Sequence, residues 1–205
     1  MKFSDFFTSK DNTQLDKKTL VILRWIANIG QFISIGIVYF ILNFELPFFS
    51  CLLIILLGSI TNLYLQFLVK ENQLSNIKSS AYLFYDVIQL GLLLFLTGGV
   101  TNPFTILLII PAIVASTFLT LKSTINLSAV TIIILILITI YHFPLPHYEE
   151  LHFHVPNYYL YAIPIAITIG LIFLTYFGVR FGIESRKRSE ALNKLELILA
   201  KEHEL

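Results

Sequence analysis

Long apolar runs, separated by short polar or turn-forming breaks, set the pattern of this chain. They fall at about residues 20–44, 47–69, 80–97, 103–121, 124–143 and 158–180. An α-helix needs roughly 20 predominantly apolar residues to cross a bilayer, and inside the hydrocarbon the backbone must satisfy its own hydrogen bonds, which a helix does. The pattern therefore predicts an all-α membrane protein, a bundle of six spanning helices over residues 20–180. The breaks are short, so consecutive helices are expected to pack as antiparallel neighbours. Residues 1–19 are polar, with Phe3, Phe6 and Phe7 at their start, and read as a cytoplasmic tail resting on the membrane surface. Beyond Arg180 the continuous apolarity gives way to a stripe: Ala191/Leu192, Leu195, Ile198/Leu199 and Leu205 recur at helical spacing. Residues 181–205 are expected to continue from the last span as a charged signalling helix, coiled-coil-like, that pairs with a second copy.

Composition agrees with the runs. The chain is 56% apolar and 13% charged, with a mean hydropathy of +0.78, against roughly 45–50% and about 25% in soluble domains. The net charge of +1 is uninformative about partners, and no nucleic acid is expected among them. The placement of charge says more. Lys2, Lys10, Lys17, Lys18 and Arg24 precede or open the first span, Lys70 and Lys78 fall between spans 2 and 3, and Lys122 falls between spans 4 and 5. Arg180, Arg186, Lys187, Arg188, Lys194 and Lys201 follow span 6. All fourteen basic residues then share one side, and the other side carries Glu45, Glu149 and Glu150. The positive-inside rule places both termini in the cytoplasm of a multi-pass inner-membrane protein. The basic cluster Arg186-Lys187-Arg188 would lie against anionic lipid headgroups. The first apolar run is longer than a secretory h-region and lacks a small-residue cleavage site, so it is expected to remain as a span. Cys51 is the single cysteine; it excludes an intrachain disulfide or a thiolate metal cluster and reads as a small apolar core residue.

Candidate chemistry centres on Thr97-Gly98-Gly99-Val100-Thr101-Asn102-Pro103-Phe104, the outer turn between spans 3 and 4. Gly98 and Gly99 permit backbone angles closed to other residues. Asn102 and Pro103 read as N-cap and first helical position of span 4. Two readings stay open here: a well-capped turn, or a site where first-turn N–H groups or the Asn102 amide donate to an electronegative oxygen, such as a quinone carbonyl, while Phe104 offers a ring face. Asp86 is the one acidic residue deep in a span, three positions from Gln89 on the same helix face. Intramembrane carboxylates are costly and commonly functional. Asp86 and Gln89 are candidates for a polar switch, or for hydrogen-bonded glue holding span 3 to Asn28, Gln31, Asn62 or Gln66. Pro111 and Pro164 predict static kinks in spans 4 and 6. His142, His147, His152 and His154 lack a recognised ligand spacing and read as interfacial residues; no metal is expected.

With these residues in view, the chain resembles the membrane domain of the RegB/PrrB redox-sensing histidine kinases. The likeness runs through Leu23-Arg24-Trp25 with Gly30-Gln31, Leu46-Pro47 before Cys51, and Ala81-Tyr82-x2-Tyr85-Asp86-x2-Gln89-Leu90. It continues through Leu96-Thr97-Gly98-Gly99-x2-Asn102-Pro103-Phe104, Leu107-Leu108, Pro111 and Pro144-Leu145-Pro146. Residues 98–104 fit the family's Gly-Gly-x-x-Asn-Pro-Phe heptapeptide at every fixed position. The resemblance implies a ubiquinone site at Gly98, Gly99, Asn102, Pro103 and Phe104, with the redox state of the quinone pool governing autophosphorylation of a kinase domain. It also implies a homodimer and a partner response regulator. The family's phosphoacceptor histidine and ATP-binding domain are not matched within these 205 residues. His203-Glu204-Leu205 is similar to the phosphorylation motif in letters alone, because Leu199-Ala200-Lys201-Glu202 matches the linker segment upstream of it. No catalytic residue, and no activity from this chain alone, is expected; ATP belongs to the kinase domain. The alternative is a small transport or channel subunit using Asp86.

Overall fold

The computed structural model describes residues 15–143 and 156–203. Phe3, Phe6, Phe7, Pro144, Leu145, Pro146, His147, Glu149, Glu150, His152 and His154 lie outside them, as do Glu204 and Leu205. The elements, in order, are β1 (Leu15–Asp16), α1 (Lys17–Gly36), α2 (Phe48–Phe67), β2 (Gln73–Leu74), α3 (Asn76–Leu96), α4 (Ile110–Phe118), α5 (Leu121–Ile140) and α6 (Asn157–His203). A π-helical turn, Ile37–Ile41, prolongs α1, and a 3-10 segment, Pro103–Ile109, precedes α4. Among the described residues five helices are long and apolar enough to cross a membrane, and a sixth, shorter one covers Pro103–Phe118. Their outward faces carry Ile22, Ile26, Phe32, Leu53, Ile60, Ile133, Ile169 and Phe173, all more than half exposed. Such a surface is stable only against lipid.

Local signals start the helices. Asp16, Ser75, Asn102 and Thr120 each accept a hydrogen bond from a backbone N–H of the first helical turn. At the end opposite the 97–104 turn, these starts are tied together. Leu15 pairs with Leu74 and Asp16 with Gln73 in a two-residue antiparallel ladder, and both leucines are buried. Lys17 Nζ donates to the Val69 carbonyl at 2.8 Å, neutralising the carbonyl-rich end of α2. Asn76 donates to Ser123 Oγ at 2.6 Å and accepts from the Thr120 backbone at 3.0 Å, joining the starts of α3 and α5. Residues 15–19, expected within a cytoplasmic tail over 1–19, are part of the packed structure, because Leu15 finds an apolar partner in the segment after α2.

Span 4 departs most from expectation. Pro111 does not kink an α-helix; it opens one, as the second residue of α4. An α-helix running through it would leave the Leu107 carbonyl without a donor. The 3-10 pattern gives that carbonyl to the Ile110 N–H instead. Seven 3-10 residues and nine α residues rise about 14 Å and about 13 Å, at ~2.0 and ~1.5 Å per residue. The tighter winding stretches a 16-residue segment toward the ~30 Å that the hydrocarbon demands.

The helix α6 runs unbroken through Pro164 to His203, and packs chiefly on α4. Gly178 and Gly182, four apart, meet Ser116 and the Thr117 carbonyl so closely that a Cβ on either would collide. The small-xxx-small spacing is therefore used within the chain, between α6 and α4. Arg186 donates to the same Thr117 carbonyl at 3.2 Å. The most enclosed spanning helix is α3, 44% buried over its apolar window against 17% for α1; it carries Asp86 and Gln89 and leads into the 97–104 turn.

Candidate functional site

The turn after α3 is built by its own hydrogen bonds. Gly98 and Gly99 both take left-handed angles, φ 107° and 59°, which glycine adopts without penalty. Asn102 clasps the turn: its Nδ2 donates to the Thr97 carbonyl at 2.9 Å and to Thr97 Oγ1 at 2.8 Å, while its Oδ1 accepts from the Phe104 N–H at 2.9 Å. Thr105 Oγ1 donates to the Gly99 carbonyl at 2.9 Å and the Thr105 N–H donates to the Asn102 carbonyl at 3.0 Å. The Asn102 amide and the first N–H groups of span 4 are therefore consumed within the turn. Of the two readings open for these donors, the geometry is that of the well-capped turn. Pro103 and Phe104 are the exposed rim, with Phe104 42% exposed, and Gly98 and Gly99 are buried beneath it.

What lies under Gly99 is informative. A Cβ there would collide with the His142 side chain and the Ile138 carbonyl at the end of α5. The bare glycine lets the turn sit directly on that helix end. His142 Nδ1 is buried and has no hydrogen-bond partner among the described residues. Phe143 fixes the same corner, donating from its backbone to the Phe95 carbonyl at 2.9 Å and setting its ring edge-on to Phe95 at 5.4 Å. Reading the histidines as one loop group hid His142. The signal was its position: the end of span 5 and the 97–104 turn share one end of the bundle.

The second cluster lies along α3 about 15 Å from the turn, ten residues at ~1.5 Å each. Asp86 is ion-paired with Arg24: Nε donates to Oδ1 at 2.8 Å, with the Arg24 side chain 3% exposed. Arg24 Nη2 donates to Thr61 Oγ1 at 2.8 Å, and the guanidinium stands 5.1 Å and 5.5 Å from the Tyr82 and Tyr85 ring centres. One turn further, Gln89 Nε2 donates to Asn28 Oδ1 at 2.9 Å and Gln31 Oε1 at 2.8 Å. The Gln89 side chain fills the space left by Gly58. Asn62 Nδ2 donates to the Val21 carbonyl at 3.1 Å and Trp25 Nε1 to Gln66 Oε1 at 3.1 Å. Spans 1, 2 and 3 are thus joined by one polar belt. Asn28 and Gln31 bind Gln89 rather than Asp86. Arg24, sorted by sequence with the residues that open span 1, is a buried counter-ion.

Comparison with known proteins places these features in context. The family model for the PilS-like transmembrane domain matches residues 20–192. The chain is 33% identical over 189 residues to the sensor histidine kinase RegB of Cereibacter sphaeroides, an alignment covering 92% of this chain and 41% of that protein. The chain spans about two fifths of the length of that curated relative. No solved structure matches.

Proposed function

The chain belongs to the PilS-like transmembrane domain family, a multi-pass module of the inner membrane, and from that premise we propose that it is the redox-sensing input domain of a two-component sensor histidine kinase. In this reading ubiquinone binds at the Gly98–Phe104 turn, and the state of the site sets autophosphorylation in a kinase domain that acts on a response regulator. The observation that carries it is the turn itself: a hydrogen-bonded clasp with an exposed Pro103–Phe104 rim, packed against the His142 side chain, whose Nδ1 is buried. A quinone is a lipid-soluble molecule with carbonyl acceptors and a flat ring, and Phe104 supplies a stacking face. Gly98, Gly99, Asn102 and Pro103 act in this reading by shaping the turn.

The route outward supports the same reading. Span 4 begins at the turn and ends at Ser116 and Thr117, where Gly178, Gly182 and Arg186 of α6 rest against it. A displacement of span 4 is thereby handed to the helix that leaves the bundle. That helix exposes Leu192, Leu195, Ile198 and Leu199, a stripe suited to pairing in a homodimer. The end bearing Lys17, Lys70, Lys78, Lys122 and Arg186 faces the cytoplasm in this arrangement.

Titration of the purified chain in nanodiscs with oxidised and reduced ubiquinone analogues, followed by calorimetry, tests the site. Saturable binding is expected, with different affinities for the two redox forms, since a ligand shifts a state only by differential affinity. In the Asn102→Ala, Phe104→Ala double variant affinity is expected to fall by about tenfold or more, from the lost clasp and stacking face. Equal binding by wild type and double variant would remove the site; equal affinity for both redox forms would remove the sensing.

A further inference from the structure

We propose that the apolar groove between α3 and α5 holds the isoprenoid tail of the quinone, and that His142 Nδ1 hydrogen-bonds a head-group carbonyl at the groove's turn end. The inference rests on the quinone reading above and adds the tail path and the head-group contact. The groove encloses about 340 Å³, at the lower end of the ~300–1,000 Å³ typical of small-molecule sites. Its walls are two stripes, Ile88, Leu92 and Phe95 on α3 and Leu137 and Ile138 on α5 with Tyr141 just past its end, and Gly91 against Ile134 is the floor. Every lining side chain is aliphatic or aromatic, and Leu92, Leu137 and Tyr141 are about half exposed or more. The groove therefore opens to lipid along its length.

Its position identifies the occupant. Two of its walls are also parts of the turn's seat: the Ile138 carbonyl lies under Gly99, and Phe95 holds Phe143 through backbone and ring. His142 stands between Tyr141 and Phe143 and touches Gly99. A long apolar trough thus ends at a buried nitrogen that has no partner among the described residues. An aliphatic chain alone would satisfy the trough and leave the nitrogen without a partner among the described residues, a state that costs roughly 1–3 kcal/mol. A hydrogen-bonding head joined to a branched hydrocarbon tail satisfies both, which an isoprenoid quinone supplies. Phospholipid acyl chains share the tail chemistry and are the competing source.

Binding of two ubiquinone analogues with the same head, one tail-less and one bearing a decyl chain, separates these parts. The proteins are wild type, Leu92→Trp with Leu137→Trp to fill the groove, His142→Leu, and Ile136→Trp as a lipid-facing control outside it. Variant-to-wild-type ratios for each ligand cancel its partition into the bilayer. Groove filling is expected to weaken the decyl analogue about tenfold and the tail-less one less than twofold. His142→Leu is expected to weaken both by about three- to tenfold, the loss of one hydrogen bond. Ile136→Trp is expected to change neither, and circular dichroism checks that every variant keeps its helix content. Unchanged decyl binding in the groove variant, as when the trough is filled by phospholipid, overturns the tail path, and so does equal weakening of both analogues. Unchanged binding in His142→Leu overturns the head contact. If wild type binds neither analogue, the quinone reading itself fails, a result distinct from the other two.

Discussion

Arg24→Ala is expected to destabilise the bundle by about 3–5 kcal/mol, the usual cost of removing one partner from a buried ion pair. The substitution strips Asp86 of its counter-ion and leaves Thr61, Tyr82 and Tyr85 around an empty space. Asp86→Ala is expected to cost a similar amount, because the guanidinium of Arg24 has almost no access to solvent. The double change Arg24→Met with Asp86→Leu is expected to recover most of the loss, since well-packed apolar residues commonly match or exceed a buried pair in stability. Reversible unfolding in mixed micelles measures all three, and a double variant as unstable as the sum of the singles would show that the belt contributes more than charge neutralisation. The pair also bears on the transport alternative, because its key carboxylate is already matched by a cation on the neighbouring helix.

Gly99→Val is expected to cost about 2–5 kcal/mol. Its left-handed backbone, φ 59°, costs a residue with a Cβ about 1–2 kcal/mol, and crowding against His142 and the Ile138 carbonyl adds the ~1–3 kcal/mol of an overpacked core. The damage should be local at first, loosening the contact between the turn and α5, so amide exchange at 97–105 and 138–143 should rise before the rest of the bundle opens. Gly30→Ala provides the contrast. Nothing lies within 4 Å of a Cβ at Gly30, and alanine in a helix interior is favoured over glycine by ~0.5–1 kcal/mol, so this variant should be neutral or slightly more stable.

These two sites also mark where the sequence was readable. Helical spans follow from apolar run length, because lipid offers the backbone no other partner. The Asn102 cap and Pro103 were equally plain, since both act within one turn of chain. Contacts across helices were not. Nothing local pairs Arg24 with Asp86, 62 residues away, and its place near the start of an apolar run matched the residues that flank spans. His142 meets Gly99 only because α5 ends beside the turn. Pro111 announced a disturbance, but whether the helix kinks or tightens into 3-10 winding depends on which donor reaches the Leu107 carbonyl. The role of the Asn102 amide stayed open between cap and ligand donor, because the sequence does not reveal that Thr97 already accepts from it. A hydropathy pattern describes each helix against lipid, and these features describe helices against one another.

The central claim is that a quinone head group sits at the turn. Photolabelling with a ubiquinone analogue carrying an azide on its ring, in nanodiscs, followed by peptide mass spectrometry, locates the head directly. Adducts within residues 97–105 and 141–143, suppressed by excess unlabelled ubiquinone, are the expected result. Competed adducts confined to the Arg24–Gln31 and Tyr82–Gln89 belt, or labelling that excess ubiquinone leaves unchanged, would contradict it.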